Sequence, residues 1–232
     1  MTDSRPPELT LAEEVLLLAL RDDTGAFLGS AMLPQALGGA LLAELLVAGR
    51  LRTAAGRRPL VEVRDRRPLG EEVLDECLER VAGARRRARA GAWVSRFGHL
   101  PGLKHRVARG LCRKGVLREH EDRVLGLFRR RRYPELDQKP ERRLLARLRA
   151  ALAAGAGPPA PRTAVLIALA DATGLLRANL PRAELRSAKG RIERIAAGEV
   201  AGAATREAVE AARAAILVAC LVPSIAAATV TT

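Results

Sequence analysis

Residues 9–51 read LTLAEEVLLLALRDDTGAFLGSAMLPQALGGALLAELLVAGRL, and this stretch decides the fold class. Thr10, followed three residues later by Glu13, is a capping-box pattern that satisfies two otherwise orphaned N–H groups at a helix start. The apolar run Val15 to Leu20 continues that helix until Asp22, Asp23 and Gly25 break it. A second helix is predicted from about Pro34 to Ala48, with Pro34 in its first turn and Gly49 as its stop. Leu37, Leu41, Leu45 and Ala48 fall on one stripe, while Gly38 and Gly39 let another backbone approach. The interior of this helical pair is almost wholly apolar, so burial is its first role.

Working outward, the 232 residues are 48% hydrophobic but only 2% aromatic, a composition suited to close-packed Leu/Ala helices around one core. The predicted class is mainly α: a single globular helical domain with a central helix bundle, surrounding amphipathic helices and short β-hairpins. Its expected bounds are a short tail at 1–8, the domain at 9–222 and a second tail at 223–232. Alternation from Arg50 to Asp65 predicts a two-stranded ribbon, and helical spacing resumes from Glu71 to Val81. Arg85 to Arg89 reads as a solvated basic segment, and Trp93 and Phe97 as packing anchors beside Val94. A second helix-ribbon unit follows. Its helix spans Gly102 to Lys114 and stops at Gly115; Val116 and Leu117 begin a strand, EHED at 119–122 makes a turn, and Val124 to Phe128 returns. The amphipathic stretch Glu141 to Ala154, the loop GAGPPAP at 155–161, and helices over 164–172, 182–196 and 205–222 complete the chain.

The formal net charge is +14 and the pI about 11.2, which favours anionic partners such as phospholipid surfaces or nucleic acid. Lys accounts for four of the 40 basic residues (104, 114, 139 and 189), leaving 36 Arg. Cys77, Cys112 and Cys220 are odd in number and set among apolar residues, as expected of reduced, buried thiols in a cytoplasmic protein. The polar opening MTDSRPPE lacks a secretory pattern, and the apolar run 214–222 is far shorter than the roughly 20 residues a membrane span needs. His99, His105 and His120 have no zinc-like spacing, and neither a phosphate-binding Gly-rich loop nor a nucleophile elbow is present. Glu13-Glu14 and Glu71-Glu72 sit at helix starts, where the helix dipole favours them. No catalytic residue, metal site or cofactor is therefore assigned.

Three blocks occur in order: residues 9–51 with the ending E-L-x-x-x-G-R-L, then VARGLCRKGVL at 107–117, then RTAVLIALADATGLLRANL at 162–180. Together they resemble the Golgi phosphoprotein 3 family, in particular its bacterial members, which lack the eukaryotic N-terminal tail. The resemblance implies a peripheral membrane protein that recognises phosphatidylinositol 4-phosphate through a shallow basic pocket. In eukaryotic members that pocket uses a Trp before the second helix, an Arg inside it, and two Arg three residues apart on a later helix. Matching the blocks puts Gly29, Gly38, Pro101 and Lys104 at those positions, so one cation of the set survives, as Lys. The resemblance also implies self-association near the second hairpin.

The helix starting at Gly102 buries Leu103, Val107 and Leu111 and turns His105, Arg106, Arg109 and Arg113 outward, with Lys104 at the edge of the stripe. Lys104, His105, Arg106 and Arg109 are the candidate headgroup-binding residues, and the RRRR segment at 129–132 adds charge beside them. Basic residues near an anionic membrane contribute about 1 kcal/mol each, enough for four or five to give reversible docking. The expected partner is thus an anionic phospholipid surface, with the protein cytoplasmic and peripherally attached to membrane. The alternative is a nucleic-acid binder, because helix, Gly, strand, turn, strand is also the outline of a winged helix. Against it, the candidate recognition helix has no Asn, Gln or Ser to read base edges, although its Arg side chains can read guanine.

Overall fold

Thr10 caps the first helix as its spacing predicts. The Thr10 hydroxyl accepts the Glu13 N–H at 3.2 Å, and the Glu13 carboxylate accepts the Thr10 N–H at 2.8 Å. The helix it opens, α1 (Leu11–Leu18), is buried on every side. A helix without a solvent face belongs at the centre of a core. Beside it lies α2 (Leu33–Val47), buried continuously from Ala36 to Leu45. The computed structural model describes residues 8–20, 27, 32–54, 59–124, 128–199 and 209.

A third apolar helix, α7 (Pro161–Ala172), packs against both α1 and α2 and is buried from Thr163 to Ala170. Around this trio stand α3 (Glu72–Ala82), α4 (Ala90–Gly98), α5 (Leu103–Arg113), α6 (Lys139–Leu152), the short α8 (Leu175–Asn179) and α9 (Arg182–Ala196). The longer outer helices each bury one stripe, such as Leu144, Leu148 and Leu152 on α6. This is the mainly α domain that composition predicts. The helix expected at 205–222 falls almost wholly outside the described residues, as does Cys220.

Two helices end alike. Gly49 after α2 and Gly115 after α5 take left-handed φ values of 66° and 72°, a conformation that glycine adopts without a steric penalty. Each then feeds an antiparallel ribbon: β1 (Leu51–Thr53) with β2 (Val61–Val63), and β3 (His120–Val124) with β4 (Phe128–Arg132).

The second ribbon corrects the sequence reading. Residues 120–122 are strand and not turn, Leu117 bridges Glu135, and the arginine run 129–132 is itself strand. The register sets Glu121 opposite Arg131 and Asp122 opposite Arg130.

The α2–α4 crossing explains Gly38. A Cβ there would lie 2.8 Å from the backbone nitrogen of Gly98 and closer still to the Val94 carbonyl oxygen. Gly98 is equally confined, with a Cβ meeting the Pro34 carbonyl oxygen at 2.5 Å. Backbone touches backbone, and α4 is fixed on α2.

Three buried carboxylates tie the core helices to distant cations. Glu13 pairs with Lys114 at 2.7 Å, and Lys114 also reaches Glu71 at 2.8 Å. Glu14 pairs with Arg147 at 2.8 Å, yet burial still pushes its carboxyl above the usual range. Glu44 accepts the Leu11 N–H at 2.5 Å and pairs with Arg162, whose second nitrogen donates to the Leu9 carbonyl at 2.6 Å. The dipole reading of Glu13 and Glu14 thus captures only part of their role.

Candidate functional site

The site is built on the first turn of α5. Gly102 precedes it with φ 63° and offers no side-chain cap, and no acidic residue lies in the first turn. A helix start carries partial positive charge and so attracts anions, although here the Leu103 and His105 N–H groups already donate to the Leu100 and Gly102 carbonyls. The sequence reinforces that field with the charges of Lys104 and Arg109 and places no carboxylate in the first turn.

Lys104 is exposed, and its Nζ stands 5.2 Å from the centre of the Phe27 ring. An ammonium over an aromatic face is held electrostatically while keeping its donors for solvent or a ligand. Phe27 is positioned by its bridge to Leu20 at the end of α1. The same ring meets His105 edge-on at 5.9 Å and Tyr133 at 5.8 Å.

His105 is half-buried, with Nδ1 2.9 Å from the Tyr133 hydroxyl. Burial lowers its pKa first, and the charges of Lys104, Arg131 and Arg109 lower it further. Tyr133 is fully buried; its hydroxyl points on to Glu119 at 3.4 Å, and burial pushes its pKa up to about 12. Arg131 also reaches Glu119, at 3.6 Å. The ordinary charge states are thus a neutral imidazole and a neutral phenol set among cations.

Of the four sequence-predicted residues, the structure brings Lys104, His105 and Arg109 into one electrostatic neighbourhood. Arg106 turns the other way. Its guanidinium donates to Glu72 at 2.9 and 3.2 Å and pairs with Glu76 at 2.6 Å, binding α5 to α3. Those contacts satisfy its fork, so Arg106 braces the fold. Sequence reasoning did not place the Phe27 and Tyr133 rings in the site, while Arg131 belongs to the basic 129–132 segment that it did name. Phe27 and Tyr133 carried a signal, being two of the chain's five aromatic residues (three Phe, one Trp and one Tyr).

The positions matched to the family's pocket divide cleanly. Gly29 lies outside the described residues. Gly38 is sealed by α4, so no side chain grows from it toward a headgroup. Pro101 is exposed and offers no donor. Among the described residues no helix is long and apolar enough to cross a membrane.

Fold and site together define a class: a helical domain with an uncapped, cation-flanked helix start beside an aromatic cluster. The chain belongs to the Golgi phosphoprotein 3 (GPP34) family, which it matches over residues 11–212. It is 35% identical over 137 residues to vacuolar protein sorting-associated protein 74 of Eremothecium gossypii, covering 50% of this chain and 41% of the relative. The protein of that name from Schizosaccharomyces pombe is 31% identical over 141 residues, covering 52% and 42%. The match therefore spans about two fifths of the length of each relative.

Proposed function

We propose that this protein is a non-catalytic, peripheral membrane component that docks on anionic phospholipid through the start of α5. The single observation that carries this reading is the exposed Lys104 ammonium, held over Phe27 at an uncapped helix N-terminus. Both features favour a phosphate, and neither has a carboxylate to satisfy it first. Arg109 and Arg131 extend the positive field. Family membership supports the reading, since the resemblance implies phosphatidylinositol 4-phosphate recognition at this place.

The chemistry of recognition differs from the family's pattern. Lys supplies a point charge where Arg supplies a bidentate fork, and Gly38 supplies nothing. Docking by charge follows, with little preference between an inositide and other lipids of equal charge. Its affinity falls with salt, because exposed charges are screened over about 8–10 Å at physiological ionic strength. Peripheral attachment at a cytoplasmic membrane face, with self-association there, completes the proposal.

Flotation with vesicles of phosphatidylcholine alone, with phosphatidylserine, and with phosphatidylinositol 4-phosphate at matched charge tests it. Equal, salt-sensitive binding to both anionic vesicles is the expected result. Binding to neither overturns the reading, and tighter binding to duplex DNA than to either transfers it to nucleic acid.

A further inference from the structure

We propose a second anion site, between the end of α3 and the start of α4, that takes a multiply phosphorylated small molecule. The cleft has a volume of about 520 Å³ and is lined by Arg80, Ala84, Arg85, Arg86, Trp93 and Arg96. That size lies within the range of about 300–1,000 Å³ typical of small-molecule sites.

Its lining holds four guanidinium groups and no carboxylate. Arg80 is partly neutralised by Glu76 at 2.9 Å, and the neighbouring Arg87 by Glu62. Arg85, Arg86 and Arg96 are exposed and have no ion pair or hydrogen bond among the described residues. Three uncompensated cations around one cleft repel each other, and a ligand with two or more negative charges relieves that repulsion. Guanidinium is also the group best shaped to take phosphate oxygens in pairs.

The cleft is rigid on one side. Arg96 stacks over Trp93 with its guanidinium carbon 4.6 Å from the ring centre, and Trp93 packs on Phe97 at 5.6 Å. Trp93 is 3% exposed, and its Nε1 is buried with no acceptor among the described residues. Because α4 is locked on α2 at Gly38 and Gly98, the Arg96–Trp93 stack keeps its place. The cleft runs from the end of α3 along α4 as far as Arg96 and shares no lining residue with the α5 site.

Trp93 is the chain's single tryptophan, so its fluorescence reports on this cleft directly. The probe is inorganic pyrophosphate, titrated at constant ionic strength against sulfate, with calorimetry as a second readout. A saturable fluorescence change, at least tenfold weaker in the double variant R85Q/R86Q and unchanged in K104E, is expected. Both replaced arginines are exposed and unpaired, so the variant keeps its fold, which circular dichroism verifies. No saturable binding by either readout, binding equal to that of sulfate, or equal loss in K104E overturns the proposal. Displacement of pyrophosphate by vesicles bearing a bisphosphorylated inositide assigns the ligand to a lipid headgroup. Absence of displacement assigns it to a soluble phosphate ester. Either result leaves the site standing, independently of membrane docking through α5.

Discussion

Gly38 and Gly98 face each other so closely that a Cβ on Gly38 would come within 2.8 Å of the Gly98 backbone nitrogen. Overpacking a core costs typically about 1–3 kcal/mol when side chains give way, and here the obstacle is backbone. Gly38→Ala is therefore expected to lose about 3 kcal/mol in urea denaturation. Gly190→Ala supplies the contrast, since that helical position is exposed with open space around it. It should gain about 0.5–1 kcal/mol from helix propensity. A gain in both variants would show that the α2–α4 crossing is looser than described.

Lys104 and Arg106 are two residues apart and do different work. Lys104→Glu should weaken binding to anionic vesicles at least tenfold with little change in melting temperature. Arg106→Gln should keep vesicle binding and lower the melting temperature, because Glu72 and Glu76 lose their shared partner. Flotation and thermal denaturation on both variants read the two effects, and a reversed pattern would move the site off the first turn of α5.

The pH dependence of His105 has a definite sign. Its pKa in the fold lies below the ordinary value of about 6.5. As pH falls below that value the unfolded chain takes up a proton that the folded imidazole resists, so acid destabilises the fold through this group. The stability of the wild type minus that of His105→Gln should therefore decrease from pH 7 to pH 5, other groups being common to both chains. Urea midpoints across that range check it, and a rising difference would mean that the imidazole has found a carboxylate.

The fold was legible in the sequence wherever local chemistry and burial agree. Thr10 with Glu13, the glycine stops at 49 and 115, and the buried stripe of α5 all read correctly, whereas α2 is buried all round from Ala36 to Leu45 and not along one stripe. The second ribbon did not, because its strands carry few apolar residues, and period-2 hydrophobicity has little to mark there. The site was half legible. Lys104 was singled out from its place in a motif. Arg106 was misread as an outward headgroup ligand because a helical wheel shows the outward face of α5 but not that α3 brings Glu72 and Glu76 against it. Phe27 joins the site only through its bridge to Leu20, a contact that no local pattern encodes.

The thiols should divide by depth. Cys77 is buried, and burial pushes its thiol pKa up to about 12, whereas Cys112 is half-buried. In a Cys220→Ser background at neutral pH, a thiol reagent should modify Cys112 slowly and Cys77 only on unfolding. Peptide mapping after partial labelling decides it.

Breaking the Glu44–Arg162 pair should be costly. Glu44 is 6% exposed, and a buried carboxylate stripped of its cation typically costs about 3–5 kcal/mol. Arg162→Leu is expected near the lower end, since Arg162 keeps partial access to water. The double variant Glu44→Leu with Arg162→Leu should recover part of the loss. Chemical denaturation of the three chains gives the coupling directly, and strict additivity would mean that the pair does not stabilise the core.

The carboxylates of α1 and α2 have a consequence for how the chain is made. Glu13, Glu14 and Glu44 emerge early from the ribosome, while Lys114, Arg147 and Arg162 emerge only after the middle of the chain has been translated. Until then the apolar α1 cannot bury its acidic end without stranding charge, so it has to wait, exposed, for the rest to arrive. An early segment is thereby sealed late, and its Leu-rich surface is what a nascent-chain chaperone would meet.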